Sequence, residues 1–376
     1  MIGIITPYKT VNYGTKLQAY AMQKLMEKYD SAELIGFVSA TDRRMGAVIG
    51  KIYLKIIRKF QKRKKLNQTA DMKLRVKAIN EFDAFYRFGK SVKGNKELKK
   101  ELSKYHAVVC GSDQLWAPSN VIADYFTLTI IPDGIKKFSY AASFGISEVP
   151  IRLRRKYGKF LNRLDFISVR EEQGKKIVKE VAAKEAQVVL DPTLMLNREE
   201  WEQLVVHSKI KLDCPYVFCY FLGANQEHRD FAKKLATELG IKIVSFPHFK
   251  GWNAADDGFG DVPLYNAGPI EFLNLIKNAD YVCTDSFHGT VFSVIFERQI
   301  AVFERFQKDS SESTNSRIYT LLNSLGLHSQ LFESINGVQT FINNKIDYDN
   351  VLPKLYALRN DSYIFLDKAL GKKRRE

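Results

Sequence analysis

ADYVCTDSFHGTVFSVIFERQIAVFER, residues 279–305, carries the pattern on which the fold turns. A short strand-like run, ADYVCTD, leads through a small polar loop into an apolar helical stretch over Gly289–Glu297. A second strand-like run, QIAVFER, follows. Strand, helix and strand at this spacing form a βαβ unit, and such a crossover joins parallel strands. The alternation continues upstream as PYVFCYFLG, then HRDFAKKLATELG closed by Gly240, then IKIVSFP. The N-terminal half repeats it: MIGIITPY, a helix over Leu17–Tyr29, AELIGFV, HAVVCGSD, KFSYAASFG, DFISVR and AQVVLDPT. Asn197 with Glu200 three residues on marks a helix start. The expected fold class is therefore α/β, with two Rossmann-like domains over residues 1–200 and 213–330. The first holds a helical, basic insertion at 43–105, and a helical tail, 331–376, is expected to pack back on it.

With 45% apolar residues among 376, wholesale disorder is excluded. No apolar run approaches the ~20 residues that span a bilayer, and the N-terminus reads as a first strand rather than a signal peptide. The four cysteines show no CxxC spacing, so neither a zinc knuckle nor a disulfide framework is expected and a reducing cytoplasm is the expected compartment. No metal is expected, because the histidines lack ligand spacing with acids or cysteines. HExxH, GxxxxGK[ST], GxSxG and GxGxxG are all absent.

Lys and Arg number 58 against 42 Asp and Glu. Ten of the basic residues and no acid lie between Arg43 and Lys65. Within this stretch Ile49, Ile52, Tyr53, Ile56, Ile57 and Phe60 form one helical stripe. Two readings fit: a helix at 49–65 lying on an anionic membrane surface, or one packed on its domain with a solvated basic face. Nucleic acid is not an expected partner, since no zinc finger, RNP-like motif or recognition helix is present.

Ligands of open α/β sheets bind beyond the carboxyl ends of the strands, so the strand-to-helix turns hold the candidate chemistry. Asn12, Tyr13 and Gly14 follow the first strand; they are either acceptor contacts or ordinary turn residues. Ser112, Asp113 and Gln114 follow VVC, with Asp113 either a base toward a hydroxyl or a helix cap. Arg170 follows DFISV and presents a planar fork suited to carboxylate or phosphate. Ser286, His288, Gly289 and Thr290 open a helix whose N–H groups and dipole favour an anion. Arg305 and Arg317 flank the polar loop beyond it.

Taken together, NYGTKLQAYAMQ (12–23), VVCGSDQLW (108–116), SYAASFG (139–145), SVREEQG (168–174), VVLDPTLML (188–196) and TDSFHGTVFS (284–293) resemble the polysaccharide pyruvyl transferase family. The resemblance implies a fold similar to the two-domain GT-B glycosyltransferases. It also implies transfer of the enolpyruvyl group of phosphoenolpyruvate onto a sugar, commonly as a cyclic ketal with release of phosphate. Phosphoenolpyruvate is then a co-substrate and no cofactor is implied. Arg170 and His288 match the positions that contact the donor, and His288 and Asp113 are the candidate acid and base. Well-studied members carry an arginine where this chain has Ser286. Arg317, or Arg305, is expected to supply that charge, unless the donor is held differently. A lipid-linked oligosaccharide acceptor would place the protein at the inner membrane face through residues 49–65. A nucleotide-sugar GT-B glycosyltransferase and a non-catalytic membrane-surface scaffold are the alternatives.

Overall fold

The structure is a computed structural model that describes residues 1–38, 65–93, 95–121, 125–248, 253–306 and 315–375. The amphipathic basic helix expected at 49–65 lies, but for Lys65, outside the described residues, and so does the membrane reading built on it. Among the described residues no helix is long and apolar enough to cross a membrane.

Two parallel sheets organise the chain. The first contains β1 (Ile2–Ile5), β2 (Ala32–Leu34), β5 (Ala107–Cys110) and β6 (Lys136–Ser139) in the order β2-β1-β5-β6. Between β2 and β5 lies a small ribbon of β3 (Phe37–Val38) with β4 (Val92–Lys93), and beyond β6 a second of β7 (Ser168–Val169) with β8 (Gln187–Val188). The second sheet has six strands: β9 (Tyr216–Tyr220), β10 (Lys242–Ser245), β11 (Val262–Pro263), β12 (Tyr281–Thr284), β13 (Gln299–Phe303) and β14 (Leu331–Phe332). Their order is β11-β10-β9-β12-β13-β14. Continuous apolar runs suit such strands because helices cover both faces of the sheet: IGII of β1 and YVFCY of β9 are buried throughout.

Strand order reverses direction at β1/β5 in the first sheet and at β9/β12 in the second. These are the two topological switch points, where the turns leaving adjacent strands diverge and open a crevice. The helix Tyr13–Glu27 leaves β1 and packs on the helix Pro269–Asn278 of the second domain. Tyr13 stacks on Phe272 with ring centroids 5.4 Å apart, and its hydroxyl donates to the carbonyl of Ala267 at 3.0 Å. One apolar cluster runs through both domains, so the two crevices face each other across a well-packed seam.

Two further elements cross that seam. In the insertion, Arg75 of the helix Lys65–Glu81 donates to the carbonyls of Pro247 (2.6 Å), Leu264 (2.9 Å) and Tyr265 (3.0 Å). The C-terminal helix Tyr348–Leu370 begins on the second domain, where Tyr348 donates to the carbonyl of Arg298 at 2.7 Å. It ends on the first, where Tyr29 donates to Asp367 at 2.6 Å and Arg359 to the carbonyl of Leu194 at 2.6 Å. The tail thus packs back through its long helix and the residues after it, where the Arg375 N–H donates to the carbonyl of Lys28 at 2.7 Å. Residues 331–343 instead complete the second domain, because β14 pairs with β13.

Candidate active site

The facing switch points enclose a cavity of about 700 Å³. Its first-domain wall comes from the turn after β1 (Pro7, Thr10, Val11, Asn12, Thr15) and the turn after β5 (Asp113, Gln114). Its second-domain wall comes from Leu222 after β9, from Asp285 to His288 after β12, and from Arg305 and Arg317. The insertion helix closes one side with Met72, Arg75 and Val76.

The turn after β5 has a demanding backbone. Gly111 lies at φ 142° against Tyr140, where a side chain would overlap the Tyr140 carbonyl. Asp113 takes a left-handed φ of 64°, a conformation that Asp tolerates better than most residues. The result is an Asp113 carboxylate at the cavity wall that accepts from the Thr15 hydroxyl at 2.7 Å. Burial opposes its charge. Arg170, His288, the Thr15 hydrogen bond and Arg317 outweigh burial and hold its pKa below the usual carboxylate range.

Behind Asp113 lies a buried network. Arg170 donates to Asp191 at 2.8 Å, stands 3.7 Å from Asp113 and 3.9 Å from Glu171, and lies face-on to Phe287 at 4.5 Å. Its side chain is 2% exposed and does not line the cavity. The direct donor contact expected of Arg170 is thus not what its position provides, because three carboxylates and an aromatic ring enclose the guanidinium. Glu171 accepts from the Ser143 hydroxyl and the Phe144 N–H, and burial raises its pKa despite Arg170 and Arg317. Asp191 accepts from Ser112 (2.9 Å), Arg170, and the N–H and hydroxyl of Thr193 (3.0 and 2.7 Å). Burial alone would raise its pKa, yet Arg170, His288 and Thr193 bring it to about 2.

His288 lines the cavity beside Asp113, and its Nε2 lies 3.9 Å from Asp191. Burial lowers its pKa, Asp191 and Asp113 oppose that, and Arg170 and Arg317 reinforce it, so the resting ring is neutral. Arg317 is lowered to about 10, first by burial and then by Arg170. It remains a cation at neutral pH.

Other expected site residues have different work. Tyr13 is buried in the domain seam, and Ser112 is fully buried with its hydroxyl also on the carbonyl of Ala141, so neither reaches an acceptor. Asn12 caps the helix Tyr13–Glu27 through the Thr15 N–H at 3.1 Å while still lining the cavity. Gly14 is a helix residue packed against the His288 ring. The helix Phe287–Ile295 starts two residues earlier than expected, at Phe287, with Ser286 as its cap. The Ser286 hydroxyl accepts from the Gly289 N–H at 3.4 Å, and Thr290 donates to the carbonyl of Ser286 at 3.1 Å. Gly289 allows close packing on Thr284, and Thr290 is fully buried. Gly289 and Thr290 are therefore not anion ligands here: their polar groups serve the helix itself.

Sequence reasoning missed Asp191, Thr15, Arg75 and Asn120, the last three of which line the cavity. Asp191 had a usable signal: it ends the strand-like run AQVVLD, where a polar residue faces a crevice. Arg75 had none, being one cation in a basic helix. Among the described residues no cluster of three metal-ligating side chains occurs.

The fold is similar to that of several solved sugar-nucleotide enzymes. UDP-GlcNAc 2-epimerase from Neisseria meningitidis is 11% identical with a TM-score of 0.53, covering 99% of each chain. A putative UDP-N-acetylglucosamine 2-epimerase from Listeria monocytogenes is 12% identical with a TM-score of 0.52, covering 100% of this chain and 97% of its own. At these identities the likeness is one of fold, the GT-B type. No curated protein sequence matches the chain. The family model described as polysaccharide pyruvyl transferase matches residues 12–305, which include Asn12 at the end of the turn after β1, the turns after β5, β7, β9 and β12, and the Asp191 network. This chain belongs to the polysaccharide pyruvyl transferase family.

Proposed function

We propose that the protein transfers the enolpyruvyl group of phosphoenolpyruvate onto a sugar of a polysaccharide precursor, forming a cyclic ketal. Family membership supports pyruvyl transfer in polysaccharide synthesis. The observation that carries the finer reading is the polarity of the cavity. Arg305, Arg317 and His288 stand on the second-domain wall beside Asp285, while neutral Asn12, Gln114 and Asn120 line the first-domain side with Asp113, and Arg75 of the insertion is engaged by three carbonyls. A small polyanion suits the second-domain wall and a hydroxyl-rich ring the first-domain side. Arg305 and Arg317 take the place of the arginine that Ser286 lacks.

In this reading the methylene carbon of the donor gains a proton and its C2 becomes oxocarbenium-like. One sugar hydroxyl attacks C2. A second hydroxyl then adds as the C2–O bond to phosphate breaks. One proton ends on the new methyl group and the other on phosphate, so the step balances without a redox partner. His288 is neutral at rest, and the arriving negative charge raises its pKa, so the ring takes up the proton it then delivers. Asp113 is ionised and only a weak base, which suffices because a hydroxyl bonded to an oxocarbenium-like carbon is strongly acidic. The preorganised arginines offset the developing phosphate charge.

Asp285 argues against a nucleotide-sugar donor. Its carboxylate accepts from the N–H groups of Leu222 (2.6 Å) and Gly223 (2.8 Å), so these two donors of the turn after β9 are taken and cannot cradle a diphosphate. The test is to incubate the protein with phosphoenolpyruvate and a panel of free, nucleotide-linked and lipid-linked sugars, following phosphate release and the mass of the sugar. A pyruvylated sugar with one phosphate released per transfer is the expected result. Stabilisation by UDP-sugars but not by phosphoenolpyruvate in a thermal shift would overturn it.

A further inference from the structure

We infer that Asp191 is a positioning residue that reaches across the domain seam to hold His288 with Nε2–H turned inward and the Nδ1 lone pair turned toward the cavity. Asp191 is fully buried in the first domain, and His288 belongs to the second. Four donors fix the carboxylate: Arg170 and Ser112 on Oδ2, and the N–H and hydroxyl of Thr193 on Oδ1. Oδ1 faces Nε2 at 3.9 Å, and Nε2 is buried with no hydrogen-bond partner. A closure of ~1 Å would complete that bond, and catalytic hydrogen bonds commonly tighten only when substrate is present. Nδ1 lies at the notch that Gly14 leaves in the first turn of its helix, and Asn12 and Thr15, which flank Gly14 in the sequence, line the cavity. The charged groups around the ring are Asp191 and Asp113, which favour the imidazolium, and Arg170 and Arg317, which disfavour it. Arg170 shares Asp191 with the ring and so limits how basic the ring becomes.

The kinetic arm of the test rests on the pyruvyl-transfer reading, whereas the spectroscopic arm does not. Full-length protein labelled with 15N-histidine is titrated by NMR, and the His288 signals are assigned by their loss in His288→Gln. The wild-type neutral ring is expected as the Nε2–H tautomer. In Asp191→Asn that preference is lost and the ring pKa falls by about one unit. Phosphate release from phosphoenolpyruvate then shows the same shift in the pH profile of kcat, with KM for phosphoenolpyruvate nearly unmoved. If Asp191→Asn does not fold, Thr193→Val replaces it; freeing Oδ1 from one donor is expected to raise the ring pKa. An Nδ1–H tautomer in the wild type, or a ring pKa unchanged in the variant that folds, overturns the inference. A ring that behaves as expected in a protein that never releases phosphate leaves the dyad standing and removes the pyruvyl reading instead.

Discussion

Replacing Gly14 by Ala sets two effects of opposite sign against each other. Gly14 is the second residue of the helix Tyr13–Glu27, where Ala is the better helix former by up to ~1 kcal/mol. A methyl group there, however, would overlap the His288 imidazole and sit 2.8 Å even from the Cβ of His288. Ordinary contact is ~3.5–4 Å, and the methyl would lie 2.1 Å from Nδ1, so the ring must withdraw by more than ~1 Å. The helix cannot yield instead, because Tyr13 is locked in the aromatic seam with Tyr220, Phe246 and Phe272. Overpacking costs ~1–3 kcal/mol, which roughly offsets the helix gain, so the melting temperature is expected to change by only a few degrees. Turnover responds differently. A displacement of ~1 Å at a catalytic group costs on the order of 100-fold, equivalent to ~2.7 kcal/mol. The assay is kcat/KM for phosphate release from phosphoenolpyruvate with a saturating acceptor, beside a thermal melt. Full activity in Gly14→Ala would refute the reasoning, since the ring would then not be held against this helix.

Arg170→Ala leaves Asp113, Glu171 and Asp191 buried without their shared cation. The expected cost is about 3–5 kcal/mol of unfolding free energy in a denaturant titration, and a variant as stable as wild type would contradict the enclosed position of Arg170. Arg317→Leu is expected to weaken calorimetric phosphoenolpyruvate affinity more than ten-fold and the more exposed Arg305→Leu by less; the reverse order would move the donor toward Arg305. His228 is buried face-on to Phe303 at 4.6 Å, and burial followed by Arg229 brings its pKa down to about 4. The unfolded chain binds that proton near pH 6.5 and the folded one does not. His228 therefore removes about 3 kcal/mol of stability as pH falls from 6.5 to 4, and His228→Phe should flatten the stability profile across that window. Asp191 acts lower: its contribution is present above the unfolded value of 3.8 and is lost as pH falls toward 2.

Local order was legible without coordinates. Parallel pairing followed from strand–helix alternation, and every strand pair among the described residues is parallel. Asn197 and Glu200 form the capping box their spacing announced. The turns after β1, β5 and β12 could be named as site-forming because the carboxyl ends of parallel strands are where helices diverge. Such features arise from neighbours within a few residues, and a sequence displays those directly. Tertiary structure alone decided what each turn residue does. Arg170, Asp191, Asp113 and His288 come from four separate segments, and their meeting depends on how two sheets pack across an aromatic seam. That packing turned Arg170 inward as a shared counter-ion, made Gly14 a socket for an imidazole, and committed Ser286 to a helix cap. No periodicity encodes these roles, because they are set by distances between groups that the chain brings together only when its core closes.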